Sequence, residues 1–127
     1  MKIEHIGIWV QDLEIMKTFY ENYFQATSNA LYHNQTTGFR SYFLSFATGG
    51  RLELMHKDQM VTPLLADCFG YAHLAMAVGD KQAVDQLVAR LQADGFALIN
   101  GPRTTGDGYY EAVIQDPEGN LVEIMAE

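Results

Sequence analysis

The sequence predicts an α+β fold: two β-α-β-β-β modules in tandem, making a single domain over residues 1–127. Three observations predict it. First, Ile3-Glu4-His5-Ile6-Gly7-Ile8-Trp9-Val10 returns as Tyr71-Ala72-His73-Leu74-Ala75-Met76-Ala77-Val78, and each copy runs on to an aspartate suited to cap a helix, Asp12 and Asp80. Second, Arg51-Leu52-Glu53-Leu54-Met55 returns as Leu121-Val122-Glu123-Ile124-Met125. Each of these follows a glycine-containing turn, Ala47-Thr48-Gly49-Gly50 and Asp116-Pro117-Glu118-Gly119. Third, His5 and His73 lie 68 residues apart, and Glu53 and Glu123 lie 70 apart. A near-constant offset over this length marks an internal repeat. Module 1 covers about 1–56, a linker about 57–70, and module 2 about 71–127.

The elements follow in order. Residues 2–10 read as a strand, with Ile3, His5, Gly7 and Trp9 on one face and Ile6, Ile8 and Val10 on the other; apolar residues on both faces predict a strand covered on both sides. Asp12 caps a helix over about 13–23, whose Leu13, Met16, Phe19, Tyr20 and Tyr23 recur at the steps of one helical face. A short strand is expected over 30–33, a polar loop over 34–38, and an aromatic-rich strand over 39–46. A hairpin through Thr48-Gly49-Gly50 then leads into the Glu53 strand. The linker contains Pro63 and Gly70. In module 2 the His73 strand leads to the Asp80 cap and a helix over 81–93, which buries Val84, Leu87, Val88 and Leu91 and is stopped by Gly95. A short strand over 96–99, a glycine-rich loop over 100–108, and strands over 109–115 and 120–125 complete the module.

Bulk properties narrow the function. With 127 residues, 48% of them hydrophobic, the chain can bury one ordinary core. A net charge of −8 argues against nucleic acid and anionic membrane as partners, both of which attract clustered Lys and Arg. A small-molecule substrate is the expected partner. The one cysteine, Cys68, excludes a disulfide within the chain and fits a reducing compartment; it is read as a packing residue rather than a nucleophile. No apolar run approaches the roughly 20 residues of a membrane helix, and the N-terminus lacks the zones of a signal peptide, so the cytoplasm is the expected location.

Glu53 and Glu123 are carboxylates among apolar neighbours, and burying an unpaired carboxylate costs several kcal/mol. Taken singly, a strand histidine is ordinarily a hydrogen-bonded core or surface residue, and a strand glutamate ordinarily meets Arg or Lys. Duplication alone would also preserve the symmetry. Yet two imidazoles and two carboxylates at equivalent positions make a sensible donor set for a divalent ion such as Zn, Ni, Co, Mn or Fe(II). Four protein ligands on an octahedral ion leave two positions for a chelating substrate, and a loosely held glutamate can serve as general base. His33, beside a polar loop, and His56, on the opposite strand face from Glu53, rank below His5 and His73 as ligands.

At these residues the chain resembles the vicinal oxygen chelate superfamily, and within it the glyoxalase I (lactoylglutathione lyase)-like family, over essentially its whole length. The pieces that carry the resemblance are His5, Glu53 in Arg-Leu-Glu-Leu, His73 in Tyr-Ala-His-Leu-Ala, and Asp-Pro-Glu-Gly-Asn-Leu-Val-Glu at 116–123. The last is common across the superfamily; the His, Glu, His, Glu order is more telling, since related dioxygenases and fosfomycin-modifying enzymes keep two His and one Glu. The resemblance implies modules curled into a metal-binding cleft (the glyoxalase/bleomycin resistance/dioxygenase fold) and a homodimer. It also implies one divalent metal (Ni, Zn, Co or Mn) held by His5, Glu53, His73 and Glu123. The implied activity is the isomerisation of a 2-oxoaldehyde–thiol hemithioacetal, as in methylglyoxal detoxification, through a metal-stabilised enediolate. Glu123 is then the first choice of base, with Glu53 as ligand or opposite-face base. The alternatives are another enzyme of the superfamily (epimerase, thiol transferase or dioxygenase) or a non-catalytic drug- or metabolite-binding member. The chain departs from the bacterial glyoxalase I pattern at two positions. Trp9 stands where an arginine binds a glutathione carboxylate, and Lys57 where an asparagine is expected. Trp9, Lys57 and Arg103 are the candidate substrate-binding residues, with core packing the other reading for Trp9.

Overall fold

The computed structural model describes residues 1–61 and 69–127. Part of the expected linker, with Pro63 and Cys68, lies outside the described residues. The chain divides into two units, Met1–Cys68 and Phe69–Glu127.

In the first unit, strand β1 (His5–Trp9) is followed by helix α1 (Leu13–Phe24), two short strands β2 (Thr27–Ser28) and β3 (Tyr32–His33), and the hairpin of β4 (Arg40–Ser45) and β5 (Arg51–His56). The sheet order is β1-β5-β4-β2, with β3 also pairing with β4. β1 runs parallel to β5, His5 opposite Arg51, Gly7 opposite Glu53 and Trp9 opposite Met55. Helix α1 forms where expected: Asp12 accepts hydrogen bonds from the Glu14 and Ile15 amides, satisfying donors that the helix start leaves free. Its apolar stripe of Leu13, Met16, Phe19, Tyr20 and Phe24 is buried, as are Tyr42, Leu44, Leu52 and Leu54 of the sheet. The helix runs one residue beyond its expected end, and Phe24 is buried where Tyr23 was expected to be.

The second unit repeats the plan. Strand β6 (Leu74–Gly79), helix α2 (Lys81–Ala93), and strands β7 (Leu98–Thr104), β8 (Tyr110–Gln115) and β9 (Leu121–Ala126) form a sheet of order β6-β9-β8-β7, with β6 parallel to β9. Asp80 caps α2 through the Ala83 amide. Val84, Val88 and Leu91 are buried, as are Ala112, Ile114, Val122 and Ile124, while Leu87 is half-buried. The Asp116-Pro117-Glu118-Gly119-Asn120 turn has a structural role. The buried Asp116 carboxylate accepts from the Glu118 and Asn120 amides and from the Asn120 side chain, so it holds the β8–β9 hairpin shut.

Three local expectations change. The β1 strand is not covered on both sides: His5, Gly7 and Trp9 are exposed while Ile6 and Ile8 are half-buried, because α1 covers one face of its sheet. His73 lies just before β6 rather than inside a strand. Residues 100–104, expected in a loop, belong to β7, which pairs with β8 through two register shifts. Gly101 accounts for one irregularity. Its φ is +82°, and a Cβ there would lie 2.6 Å from the Glu111 carbonyl oxygen, so the strand passes only with glycine.

Candidate functional site

Alternation along the strands sorts each sheet into a helix-covered face and an open face. In the first unit the open face carries His5, Gly7 and Trp9 from β1, Glu53 and Met55 from β5, and Phe43 from β4, which pairs with Glu53. His5 Nε2 lies 3.7 Å from Glu53 Oε2. The other ring nitrogen, Nδ1, contacts the Glu4 carboxylate, and Glu4 is also held by Arg51, whose Nε donates at 2.9 Å. The His5 contact, and then Arg51, hold the Glu4 carboxyl below the usual carboxylate range. An ionised carboxylate can only accept, so Nδ1 is the ring nitrogen that donates to Glu4, and Nε2 is the one that faces Glu53. Phe43 packs edge-on against the imidazole at 5.3 Å, and the Arg51 guanidinium lies 4.2 Å over the Phe43 ring. Gly7 keeps the floor low beside the pair: a Cβ there would lie 2.8 Å from Met55 Cε.

The second unit has the matching pair, His73 Nε2 at 3.5 Å from Glu123 Oε2. Its surroundings differ. Ala72 stands in the place of Glu4, so the residue before His73 supplies no carboxylate to its ring. Instead there is Glu111 on β8. Burial raises its pKa, as do the neighbouring Glu123 charge and a hydrogen bond to Glu123; Arg103, at 3.7 Å from Glu111, acts in the opposite direction. Sequence reasoning missed Glu111. The signal was the strand alternation, which sets Glu111 and Val113 on the face opposite Ala112 and Ile114, with Val113 paired to Glu123.

The structure therefore brings His5 to Glu53 and His73 to Glu123. Among the described residues, no three His, Cys, Asp or Glu side chains form a group that could hold a metal ion. Each pair on its own fits a metal. Two donors about 2.1 Å from one ion, in octahedral or tetrahedral directions, stand about 3.0–3.5 Å apart. The separations of 3.7 and 3.5 Å are close to that and too long for good hydrogen bonds. Imidazole and carboxylate are also the donors of a borderline divalent ion. His56 does other work, with Nδ1 at 2.8 Å from the Val10 carbonyl, and His33 is exposed on β3. Trp9 is 45% exposed, with the Lys57 ammonium 4.9 Å over its ring.

Among the described residues, no helix is long and apolar enough to cross a membrane. Residues 2–124 match the family described as the Glyoxalase/Bleomycin resistance protein/Dioxygenase superfamily. The chain is 26% identical over 133 residues to the uncharacterised protein YqjT of Bacillus subtilis (strain 168), covering 98% of each. Its structure is similar to that of the trypanothione-dependent glyoxalase I of Leishmania major, with a TM-score of 0.81 and 22% identity over 100% of this chain and 87% of that one. It is also similar to a glyoxalase family protein from Bacillus cereus, with a TM-score of 0.83 and 18% identity over 100% of this chain and 94% of that one. At these identities the structural likenesses show the fold alone. With a repeated β-α-β unit, a His–Glu pair in each copy and a family match spanning nearly its whole length, the chain belongs to the glyoxalase/bleomycin resistance protein/dioxygenase superfamily.

Proposed function

We propose that this chain is a metal-dependent, glyoxalase I-like enzyme that isomerises the hemithioacetal of a 2-oxoaldehyde and a thiol to a 2-hydroxy thioester. The observation that carries this reading is the pair in each unit, an imidazole Nε2 and a carboxylate Oε2 at 3.7 and 3.5 Å. His5, Glu53, His73 and Glu123 are the residues that would hold a divalent ion (Ni, Zn, Co or Mn), most simply one ion for both pairs. When bound, the ion would supply positive charge to the substrate's two vicinal oxygens, which would acidify the hydrogen on the thiol-bearing carbon.

The protein's own task is to move that proton. The reaction changes no oxidation state overall: the thiol-bearing carbon gives up its hydrogen and its hydroxyl proton and becomes the thioester carbonyl, while the neighbouring carbonyl gains a hydrogen on carbon and a proton on oxygen and becomes the alcohol. Glu123 takes the proton from the first carbon and returns it to the second. Its neighbour Glu111, with a raised pKa, holds a proton more readily than an ordinary carboxyl and donates a hydrogen bond to it. Glu53 is a ligand or acts as base from the opposite side. His5, held by Glu4 through Nδ1, turns Nε2 towards Glu53. Arg103 and Lys57 attract an anionic substrate, and the working protein is a cytoplasmic homodimer.

Trp9 in place of a carboxylate-binding arginine favours a thiol other than glutathione, and it supports a second reading: another oxygen-chelate reaction on the same donors. The test is an isomerase assay with methylglyoxal and a panel of thiols on chelator-treated protein. Activity should return with added Ni, Co, Zn or Mn and be lost in Glu123→Gln. Metal binding without isomerase activity on any thiol would favour the second reading.

A further inference from the structure

We propose that Trp9, Phe39, Tyr32 and Lys57 form a subsite on the first unit for a flat aromatic carboxylate. This rests on the reading that the open sheet face bearing His5 and Glu53 receives the substrate. Trp9 is two residues along β1 from Gly7, which pairs with Glu53, and four from His5, so the subsite begins roughly 7 Å along the strand from Glu53 and roughly 13 Å from His5. Between Trp9 and His5 lies Gly7, where the absent side chain leaves room above Met55 and the Glu53 carboxylate.

The cluster consists of rings and one cation. Trp9 meets Phe39 edge-on, with centroids 6.1 Å apart and planes at 87°, and Phe39 meets Tyr32 at 6.1 Å. These rings are only partly packed away: Trp9 is 45% and Tyr32 52% exposed. An indole that served only the core would be buried, and grouped exposed aromatics mark a binding surface. The cation gives the surface its chemistry. Lys57 Nζ sits 4.9 Å over the indole and, among the described residues, makes no ion pair, although the chain carries a net charge of −8. A flat ring answers the aromatic side chains by stacking or edge contact, and a carboxylate answers the ammonium. An aliphatic anion would offer the exposed rings no aromatic contact, and a neutral ring would offer the ammonium no counter-charge.

Trp9 is the chain's one tryptophan, so its emission reports on the subsite directly. Chelator-treated protein is titrated with phenylacetate, its neutral amide phenylacetamide, and cyclohexylacetate, with calorimetry in parallel. Phenylacetate should give a saturable change and bind roughly three- to five-fold more tightly than either comparison compound, the scale of one exposed charge contact or one aromatic contact. Lys57→Met should abolish the preference over the amide and keep that over cyclohexylacetate; Phe39→Leu should do the reverse, with circular dichroism showing both variants folded. Equal binding of the three compounds, or no saturable binding by either method, overturns the proposal. An emission shift driven by protein concentration alone also overturns it, by assigning the surface to a second copy of the chain. Because the titration uses metal-free protein, it stands or fails apart from the isomerase assay.

Discussion

Glu4 decides which nitrogen His5 presents. Its carboxylate accepts a hydrogen bond from Nδ1 while Arg51 holds it in place, which leaves Nε2 to face Glu53 or an ion. Such partners commonly contribute ten- to a hundred-fold to metal affinity. Glu4→Ala should therefore weaken divalent-ion binding about ten-fold by calorimetry, whereas Ala72→Ser, at the equivalent position beside His73, should leave it unchanged. Unchanged affinity in Glu4→Ala would remove this role. Away from the site, the Tyr42 hydroxyl donates to Glu14, and that bond, with burial, pushes the Tyr42 pKa up to about 12. Glu14 is held below its ordinary value by the same bond. The signs follow by linkage. Tyr42 is more acidic unfolded than folded, so its contribution is complete below about pH 10 and is lost as pH rises from 10 towards 12. Glu14 contributes above the ordinary carboxylate range and loses that contribution as pH falls through its lowered pKa. Tyr42→Phe should cost about 1 kcal/mol at neutral pH and flatten the alkaline decline in urea unfolding measured from pH 8 to 12. A wild-type decline that survives in Tyr42→Phe would assign it to other groups. The histidines and glutamates of the repeat were legible as residues because each recurs at a fixed offset. Glu4 and Glu111 were not: neither has a counterpart in the other copy, where Ala72 and Ser41 stand, so the repeat gave no signal for them.

At the scale of elements, helices were the most legible. Asp12 and Asp80 start α1 and α2 where capping chemistry requires, and the 3.6-residue apolar period names nearly all the buried positions. Strands were less so, for a physical reason visible in β1. Apolar residues on both faces imply two covers, but Trp9 is an apolar residue held on an open face, and nothing in alternation distinguishes a core ring from an exposed one. β7 shows the second limit. Asn100-Gly101-Pro102 has loop composition, yet the segment pairs with β8 by shifting register. That pairing depends on Gly101, so Gly101→Ala should destabilise the protein by roughly 1–3 kcal/mol, measured by denaturant unfolding. An effect within error would mean that β7 can move off β8 at no cost. In the cores, Leu54→Ala and Ile124→Ala should each cost about 2–5 kcal/mol, since both side chains are fully buried beneath a helix-covered sheet.

For the whole molecule, the sequence carried the superfamily further than the reaction. The repeat and the Asp116–Asn120 turn specify how the chain folds, and the turn does so through the buried Asp116 carboxylate. Chemistry depends on what the open faces bind, and there the residues differ from the bacterial glyoxalase I pattern at Trp9 and Lys57. The central proposal is that His5, Glu53, His73 and Glu123 are all ligands of one divalent ion. The most direct test is metal stoichiometry, by mass spectrometry and calorimetry, on the wild-type chain, His5→Ala and His73→Ala. The account predicts about one ion per wild-type chain and a loss of affinity of at least about a hundred-fold in either variant, because each removes a ligand from the same ion. Two ions per chain that fall to one in each variant, or full stoichiometry and affinity retained in both, would contradict it.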